Sequence, residues 1–309
     1  MIVRLLVVAA LALFLAPEQA KAAEKPNIVY ILADDLGYGD VSCLNKNSKI
    51  KTPNMDRLAS QGMIFTDAHS GSAVGTPTRY GILTGRYAWR THLRSGVLWG
   101  WSGPLISKDR PTVASLLKQE GYHTACVGKW HLGMDWPFVD PKEAPAWKTK
   151  ASGTPAVDYS KTIENGPTTV GFDYYFGISA SLDMPPYCWI ENNRTVGIPS
   201  MTKTLFDNRP GAAHPDFESA DVLPGLTQKA CDYLDQRAKA KQPFFLYMPL
   251  NSPHTPITPS KTFEGKSGIG SYADFVLETD WALGQVLDAL ERHKLVESSR
   301  TTARCCARA

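Results

Sequence analysis

NIVYILADD, at residues 27–35, is the stretch of sequence that decides the fold class. Residues 27–33 form a short, largely apolar run that is rich in β-branched side chains, with Pro26 before it and Asp34-Asp35 after it. An apolar run of this length between turn residues is typical of a strand buried on both faces, as parallel strands are. The stretch therefore predicts a buried parallel strand that ends in two carboxylates.

Two further apolar runs, at residues 122–128 and 244–250, predict strands of the same kind. Helical signals fall between and after these runs, at residues 54–61, from Thr76-Pro77 onward, at residues 111–120, and from Ser271 to about Leu295. Strands that alternate with helices predict an α/β fold with a doubly wound, mixed but mostly parallel sheet that is flanked by helices. In such a sheet, ligands bind beyond the carboxyl ends of the strands.

The predicted helix boundaries depend on start signals in the sequence. Thr76 is the expected N-cap of the second helix, with Pro77 in its first helical position. Pro111 is expected to open the third helix, and Ser271 with Asp274 marks the start of the fourth. These signals place one helix N-terminus beside Arg79.

Residues 137–225 carry many prolines, glycines and aromatic residues, which predicts long surface loops that determine specificity. Within this region, Asp183, Tyr187 and Trp189 are candidates for the wall of a pocket, since aromatic side chains suit a sugar or an aryl group. Ordinary packing of the loops is the alternative.

Composition limits the class of protein. The chain has 309 residues, of which 43% are apolar, and its net charge is +3. This length and apolar content suffice for one large α/β domain and exclude wholesale disorder. The sequence has no long basic block, so we expect no nucleic-acid partner. The six cysteines have no diagnostic spacing and leave the disulfide pairing open.

Residues 1–22 have the pattern of a signal peptide. Arg4 supplies the positive charge, Leu5–Ala16 form an apolar run, and Ala20-Lys21-Ala22 resembles a cleavage site. The apolar run is shorter than the roughly 20 residues that span a bilayer. We therefore expect a mature protein that begins near Ala23, is secreted or periplasmic, and has no membrane attachment. A retained N-terminal anchor is the alternative.

Adjacent carboxylates, Asp34-Asp35, follow the first predicted strand. Two neighbouring negative charges repel unless a cation lies between them, and hard cations such as Ca²⁺ or Mg²⁺ take oxygen ligands. The pair therefore predicts a divalent metal site. A solvated turn is the alternative, because Asp is an ordinary turn residue.

Cationic and imidazole side chains follow the other two predicted strands. Lys129 and His131 lie two residues apart on a segment taken as extended, so they are expected to point the same way. Both can donate to an anion, and histidine can also transfer a proton. His254 lies between Pro253 and Pro256 on a stiff loop after the third strand. A structural role is the alternative for each of these residues.

The helix that begins near residue 76 offers a fourth component. Its free N–H groups and the neighbouring Arg79 form a natural anion site. A carboxylate pair, two cationic donors, a loop histidine and this helix N-terminus all lie at the mouths of one predicted sheet. Together they describe a site for a tetrahedral oxyanion ester held by a metal.

Five segments resemble blocks of the sulfatase family, within the alkaline-phosphatase-like superfamily, in the family's order: ILADDLGYGD, TPNMDRLASQGMIFTDAHS, TPTRYGILTGRY, GYHTACVGKWHLG and NSPHTP. The resemblance runs from about Lys25 to about Glu297. It implies arylsulfatase-like hydrolysis of aryl or carbohydrate sulfate esters by a formylglycine nucleophile and a divalent metal, usually Ca²⁺. It also implies a sulfated small molecule or glycan as substrate and, for intact relatives, a formylglycine-generating partner.

The family pattern C-x-P-x-R-x-x-x-L-T-G-R matches residues 75–86 except at its first position. Family members carry Cys or Ser there, and this residue is oxidised to formylglycine after synthesis. Gly75 stands at that position in this sequence and has no side chain to oxidise. The resemblance therefore implies that formylglycine cannot form in this chain.

The resemblance carries other roles onto matching positions. It makes Asp34-Asp35 ligands of the metal, and it makes Arg79 the residue that orients the nucleophile. Lys129 and His131 become donors to the sulfate and to the nucleophile. His254 becomes the donor near the leaving oxygen.

The sequence departs from the family again near its end. The family continues with a strand that carries an Asp-Asn pair and then with a sulfate-binding Lys, none of which residues 298–309 contain. We therefore expect a signal peptide at 1–22, the N-terminal part of a sulfatase catalytic domain at 23–297, and an aberrant tail at 298–309. With the C-terminal part of the fold missing, a sheet edge should be exposed. A genuine basic tail is the alternative.

Three functions remain open on the sequence alone. The first is sulfate-ester hydrolysis as the family reaction, impaired in this chain by Gly75 and the altered end. The second is a non-catalytic protein that binds sulfated glycans. The third is a phosphoester hydrolase that uses Thr76 as its nucleophile.

Overall fold

The computed structural model describes residues 25–146, 153–206 and 209–296, together with the backbone of residues 299–306. The predicted signal peptide lies outside the described residues. The helices are α1 (Pro53–Gln61), α2 (Gly75–Thr84), α3 (Val113–Gln119), α4 (Val222–Arg237) and α5 (Ser271–Arg292). The strands are β1 (Asn27–Asp34), β2 (His123–Lys129), β3 (Tyr174–Ile178), β4 (Ile190–Glu191), β5 (Arg194–Thr195), β6 (Met201–Thr204), β7 (Pro210–Ala213), β8 (Phe244–Pro249) and β9 (Ser299–Cys306).

The main sheet has the strand order β5-β4-β3-β2-β8-β1-β9. Its neighbours from β3 to β9 pair in parallel, and β4 and β5 add an antiparallel edge. This arrangement confirms the predicted mixed, mostly parallel sheet. Strands β6 and β7 form a separate two-stranded sheet. Among the helices that the structure describes, none combines the length and the apolar composition that a bilayer crossing requires.

Side chains of β8 alternate between two hydrophobic cores. Phe244 and Leu246 belong to the core that includes α4 and α5, whereas Phe245 and Tyr247 belong to the core that includes α2 and α3. Successive strand residues point to opposite faces, so the sheet is covered on both sides. Complete burial of a Leu or Phe side chain stabilises the fold by about 2 kcal/mol.

The start of α2 differs from the prediction. The helix begins at Gly75 and its N-cap is Val74, so Thr76 is not the cap. The Thr76 hydroxyl instead accepts the N–H of Leu98 at 3.1 Å, and the side chain is fully buried. A tertiary partner that is distant in sequence has therefore replaced the local capping bond.

The start of α3 is also later than predicted. Thr112, rather than Pro111, marks the boundary, and the helix proper begins at Val113. The Thr112 side chain accepts the N–H of Ser115, and the Ser115 hydroxyl lies within hydrogen-bond distance of the Thr112 backbone, so the two form a capping box. Two satisfied donors at the helix start outweigh the preference of proline for the first turn.

Helix α5 begins at Ser271 as predicted, but the expected capping box is absent. Its N-cap is Gly270, and the Asp274 carboxylate accepts the N–H groups of Gly265 and Ser267 in the preceding loop. The predicted apolar stripe is buried, with Val276, Leu283, Leu287 and Leu290 all at 6% exposure or less. The helix therefore packs where the periodicity indicated.

The region predicted as surface loops contains regular structure. Strand β3 lies inside it, pairs with β2 in the main sheet and is nearly all buried. Helix α4 begins before the predicted end of this region and was not predicted. Prolines and glycines on both sides of these elements made the whole region look like loops, so the apolar patterns of the strand and the helix were missed.

Strand β1 is not the edge strand of the described sheet, because a further strand takes that place. The exposure of a sheet edge stays a prediction. The backbone of residues 299–306 forms β9 and pairs in parallel with β1, from Asn27 opposite Ser299 to Asp34 opposite Cys306. Main-chain groups at the edge of a sheet can bind any extended segment, because the ladder does not depend on side-chain identity. The aberrant origin of residues 298–309 stays a prediction.

Asp280 of α5 joins two helices through their backbone. Its carboxylate, which is 2% exposed, accepts the N–H of Asn54 at 3.1 Å and that of Met55 at 2.8 Å. These N–H groups lie in the first turn of α1, where the N-cap Thr52 makes no side-chain capping bond. Asp280 therefore supplies from another helix the acceptor that a capping side chain normally provides.

We expect Asp280→Ala to lower the free energy of unfolding by about 2 kcal/mol, because it leaves buried donors at the start of α1 without an acceptor. Asp288→Ala is the matched control on the same helix, since Asp288 makes an exposed ion pair with Arg57. The control should cost less than about 1 kcal/mol. Urea unfolding followed by circular dichroism measures both variants, and equal losses would contradict the assigned role.

Candidate active site

The predicted site residues come together at the carboxyl ends of β1, β2 and β8. Asp34-Asp35 end β1, Lys129 ends β2 and His131 follows it, and His254 lies in the loop after β8. Arg79 reaches this edge from α2, whose first residue is Gly75. The topology predicted from sequence therefore brings all seven residues to one edge of the sheet.

A buried ionic cluster forms the centre of the site. Lys129 Nζ donates to Asp34 Oδ2 at 2.6 Å, and Arg79 Nη2 lies 3.4 Å from the same oxygen. Each of the three side chains is at most 4% exposed. Burial would raise the pKa of Asp34, but the charges of Lys129, Arg79 and His254 outweigh it and hold the pKa well below its usual range. One carboxylate thus balances two cations, and the cluster keeps an excess positive charge.

The Arg79 guanidinium is fixed by backbone carbonyls as well as by Asp34. Its Nη2 donates to the carbonyl of Leu250 at 3.0 Å, and its Nε donates to that of Lys129 at 3.3 Å. These carbonyls belong to the ends of two different strands, so the guanidinium spans the gap between them. Such bonds hold a cation in place before any ligand arrives.

Strands β2 and β8 approach closely where the site begins. Gly128 has φ 153°, and a Cβ added there would collide with the carbonyl oxygen of Pro249. Only glycine tolerates both this backbone conformation and this contact. The close approach sets Lys129 beside the exit of β8.

His131 does not lie on an extended segment, as the sequence suggested. Its φ is 56°, so its orientation comes from a turn rather than from strand alternation. Its Nε2 lies 2.7 Å from the Leu98 carbonyl, and it must therefore carry the proton and donate. Burial first, and then the charges of Lys129 and Arg79, lower the pKa of His131 well below its usual value. The ring is therefore neutral, and its Nδ1 has a free lone pair.

The Nδ1 atom of His131 is buried and has no hydrogen-bond partner among the described residues. A Cβ built on Gly75 would lie 3.0 Å from this atom and 3.2 Å from Arg79 Nη1. Gly75 does not adopt a positive φ, so its backbone does not require glycine. A side chain at position 75 would enter a cradle formed by His131 and Arg79, which would have to shift by a few tenths of an ångström.

His254 borders the cluster from the β8 loop. Its Nδ1 lies 3.2 Å from Ser181 Oγ and 2.5 Å from the Thr255 carbonyl, and its Nε2 lies 3.7 Å from Asp35 Oδ2. The X-Pro bonds at Pro253 and Pro256 are both cis. Burial, followed by the charge of Lys129, lowers the pKa of His254.

A family model of sulfatases matches residues 26–299 of the chain. The chain belongs to the sulfatase family. It is 33% identical to an N-acetylgalactosamine-6-O-sulfatase of Bacteroides thetaiotaomicron, over 91% of this chain and 58% of that protein. It is 32% identical to human arylsulfatase A, over 90% and 51% of the two chains.

A solved structure from work on glycosaminoglycan metabolism in Bacteroides thetaiotaomicron matches this sulfatase-family chain with a TM-score of 0.75 and 32% identity. The match covers 90% of this chain and 61% of that one. The neighbour supports the alkaline-phosphatase-like fold. The chain spans about half to three fifths of the length of these relatives.

Sulfatases use a formylglycine and a divalent metal, and the residues present differ in how well they fit each group. The cradle at position 75 fits a small polar side chain such as formylglycine, but Gly75 supplies none. Asp34 and Asp35 offer oxygen donors that suit Ca²⁺ or Mg²⁺, and the nearby amide of Asn251 is buried without a partner in the described part of the chain. The described residues contain no cluster of three or more acidic, histidine or cysteine side chains, so these carboxylates fit as part of a ligand set.

The loop after β3 contributes to this sulfatase site, which was not predicted from the sequence. Ser179 accepts the backbone N–H of His131 with its carbonyl at 2.9 Å, and its buried hydroxyl has no partner among the described residues. Asp183, a candidate from sequence, lies in this loop. Tyr187 and Trp189, the other two candidates, pack in the core instead. The other site residues follow strands. A prediction of β3 as a strand would therefore have made the residues after it candidates for the site.

Proposed function

We propose that the site binds the sulfate group of a carbohydrate sulfate ester, the class of substrate that sulfatases hydrolyse, and that this chain lacks the nucleophile for turnover. The observation that carries the proposal is the cradle at position 75. The Arg79 guanidinium and the neutral imidazole of His131 converge where a side chain from residue 75 would lie, and Lys129 joins Arg79 through the shared Asp34 carboxylate. Preformed donors of this kind stabilise a small oxyanion, because they need no rearrangement when it binds.

Each residue has a distinct proposed role. Arg79 and Lys129 neutralise the charge of the sulfate, and the free Nδ1 of His131 would accept a proton from a hydroxyl if residue 75 carried one. His254 would donate to the ester oxygen of the sugar only in its protonated form, because its Nδ1–H already donates to the Thr255 carbonyl. A formylglycine at position 75 would supply a nucleophilic hydroxyl there, and Gly75 cannot form one. Asp34 and Asp35 would hold the divalent metal, with Ca²⁺ or Mg²⁺ as candidates.

The proposal includes the cellular setting. Secretion or export to the periplasm through a cleaved signal peptide at residues 1–22 gives access to extracellular sulfated glycans. A formylglycine-generating enzyme would be the partner of intact relatives, because Gly75 offers it no substrate.

Calorimetric titration with N-acetylgalactosamine 6-sulfate, in buffer that contains Ca²⁺, tests the proposal. We expect saturable binding that weakens as salt is added, because the contact is between charges. The same sugar without sulfate is the control and should bind far more weakly. If the unaltered protein binds neither compound, or both equally, the proposal fails.

A second candidate function is non-catalytic binding of sulfated glycans. It is favoured by the combination of a glycine at position 75 with a buried Arg79 beside it, in an ionic cluster that Lys129 completes. Such a protein would hold the ester without cleaving it. The two candidates differ in one measurable respect: a side chain restored at position 75 should confer turnover only on a catalytic site.

The third function, catalysis by Thr76, is disfavoured by the geometry. Thr76 is fully buried, and its hydroxyl accepts the N–H of Leu98 at 3.1 Å. A nucleophilic hydroxyl must face the substrate and a base, whereas this one is engaged with the backbone.

A further inference from the structure

The loop after β3 carries a buried acid that the proposed sulfate contacts do not use. Asp183 is 7% exposed, and its Oδ1 has no hydrogen-bond partner in the described part of the chain. Its Oδ2 accepts an N–H from Arg209 at 2.6 Å. A buried carboxylate oxygen without a donor is costly, so a polar ligand that donates to it would stabilise the site.

Arg209 is fixed on two sides. Its Nη1 also donates to the backbone carbonyl of Asp183 at 3.2 Å, and its guanidinium lies over the ring of Trp99, 4.9 Å from the centroid. About a third of the side chain remains exposed, so a ligand can reach the guanidinium. The acid, the cation and the ring form a rigid group with one unsatisfied acceptor and an accessible donor.

Two segments of the chain connect this group to the proposed sulfate site. Trp99 follows Leu98, whose carbonyl accepts the Nε2–H of His131. Asp183 lies two residues after Ser181, whose hydroxyl contacts His254.

We propose that Asp183, Arg209 and Trp99 hold the sugar ring that carries the sulfate ester. Asp183 Oδ1 accepts a hydrogen bond from a ring hydroxyl near the sulfated carbon, and Arg209 donates to an oxygen of the same ring. The inference rests on the proposed function, because it requires the sulfate to be held beside Gly75. A simple aryl sulfate has no such hydroxyl, so this subsite should favour sulfated pyranoses over aryl esters.

The test compares two ligands on the full chain by calorimetry. N-acetylgalactosamine 6-sulfate offers both the sulfate and ring hydroxyls, whereas phenyl sulfate offers the sulfate alone. We expect Asp183→Asn and Arg209→Met each to weaken binding of the sugar sulfate about tenfold or more and to leave binding of phenyl sulfate within about twofold. Glu218→Gln is the control, since it breaks the Lys203–Glu218 ion pair at a similar distance, 2.7 Å, and should change neither affinity.

Thermal melting curves of each variant establish that it is folded before its affinity is interpreted. The subsite is wrong if both folded variants bind the sugar sulfate as tightly as the unaltered protein does, or if they lose affinity for the two ligands equally. Sulfate binding itself would then still stand, because phenyl sulfate binds the unaltered protein. If the unaltered protein binds neither ligand, the proposed function fails, and the subsite fails with it.

Discussion

No measurable hydrolysis of a sulfate ester is expected from the chain with glycine at position 75. The polar groups that surround this position are in place, but a nucleophile cannot be attached to a residue without a side chain. Loss of a covalent nucleophile typically lowers the rate about 10⁴- to 10⁶-fold. A discontinuous assay with an aryl sulfate and with N-acetylgalactosamine 6-sulfate measures the rate, and turnover by the unaltered chain would contradict the account.

Gly75→Cys, co-expressed with a formylglycine-generating enzyme, separates this defect from others. The substitution completes the C-x-P-x-R pattern, and the Cβ that it adds requires His131 and Arg79 to shift by a few tenths of an ångström. Mass spectrometry should detect the aldehyde in this variant and not in the unaltered chain. Gly75→Ala is the matched control, because it adds the Cβ without a group that can be oxidised.

Lys129→Met is expected to have the second largest effect. It removes a cation from the proposed sulfate site and leaves Asp34, which is 3% exposed, with Arg79 at 3.4 Å as its remaining cation contact within 4 Å. Affinity for a sulfate ester should fall about 100-fold or more. The free energy of unfolding should fall by about 3 kcal/mol, because a buried carboxylate loses its closest partner.

Lys118→Met is the matched control for Lys129→Met. Lys118 makes an ion pair with Asp173 that is also 2.6 Å long, but its side chain is half exposed. Such a pair contributes less than about 1 kcal/mol, and it lies outside the proposed site. Calorimetry and urea unfolding of both variants measure the difference. Similar losses in the two variants would show that Lys129 has no special place in the site.

The sequence sufficed for three strands of the main sheet, β1, β2 and β8, and for the polar residues at their carboxyl ends. Residues 27–33 and 244–250 are apolar runs with polar residues after them. The sequence therefore predicted both the strands and the residues at their carboxyl ends. The rule that ligands bind beyond parallel strand ends then placed Asp34, Lys129 and His254 together. The positions of these residues in the fold follow from local patterns.

Other features depend on contacts that no local pattern encodes. The Thr76 hydroxyl and the Asp280 carboxylate bind backbone N–H groups that are distant in sequence, so their roles could not be read from their neighbours. His131 owes its direction to a left-handed backbone conformation, not to strand alternation. Strand β3 was hidden by the surrounding turn residues, and with it the place of Ser179 beside His131.

The central claim is that a sulfate ester lies in the cradle beside Gly75, between Arg79, Lys129 and His131. A crystal structure of the unaltered protein with N-acetylgalactosamine 6-sulfate tests it most directly. The account predicts the sulfate oxygens within hydrogen-bond distance of Lys129 Nζ and the Arg79 guanidinium, with the sulfur next to residue 75. A sugar bound elsewhere, with this cradle filled only by solvent, would contradict it.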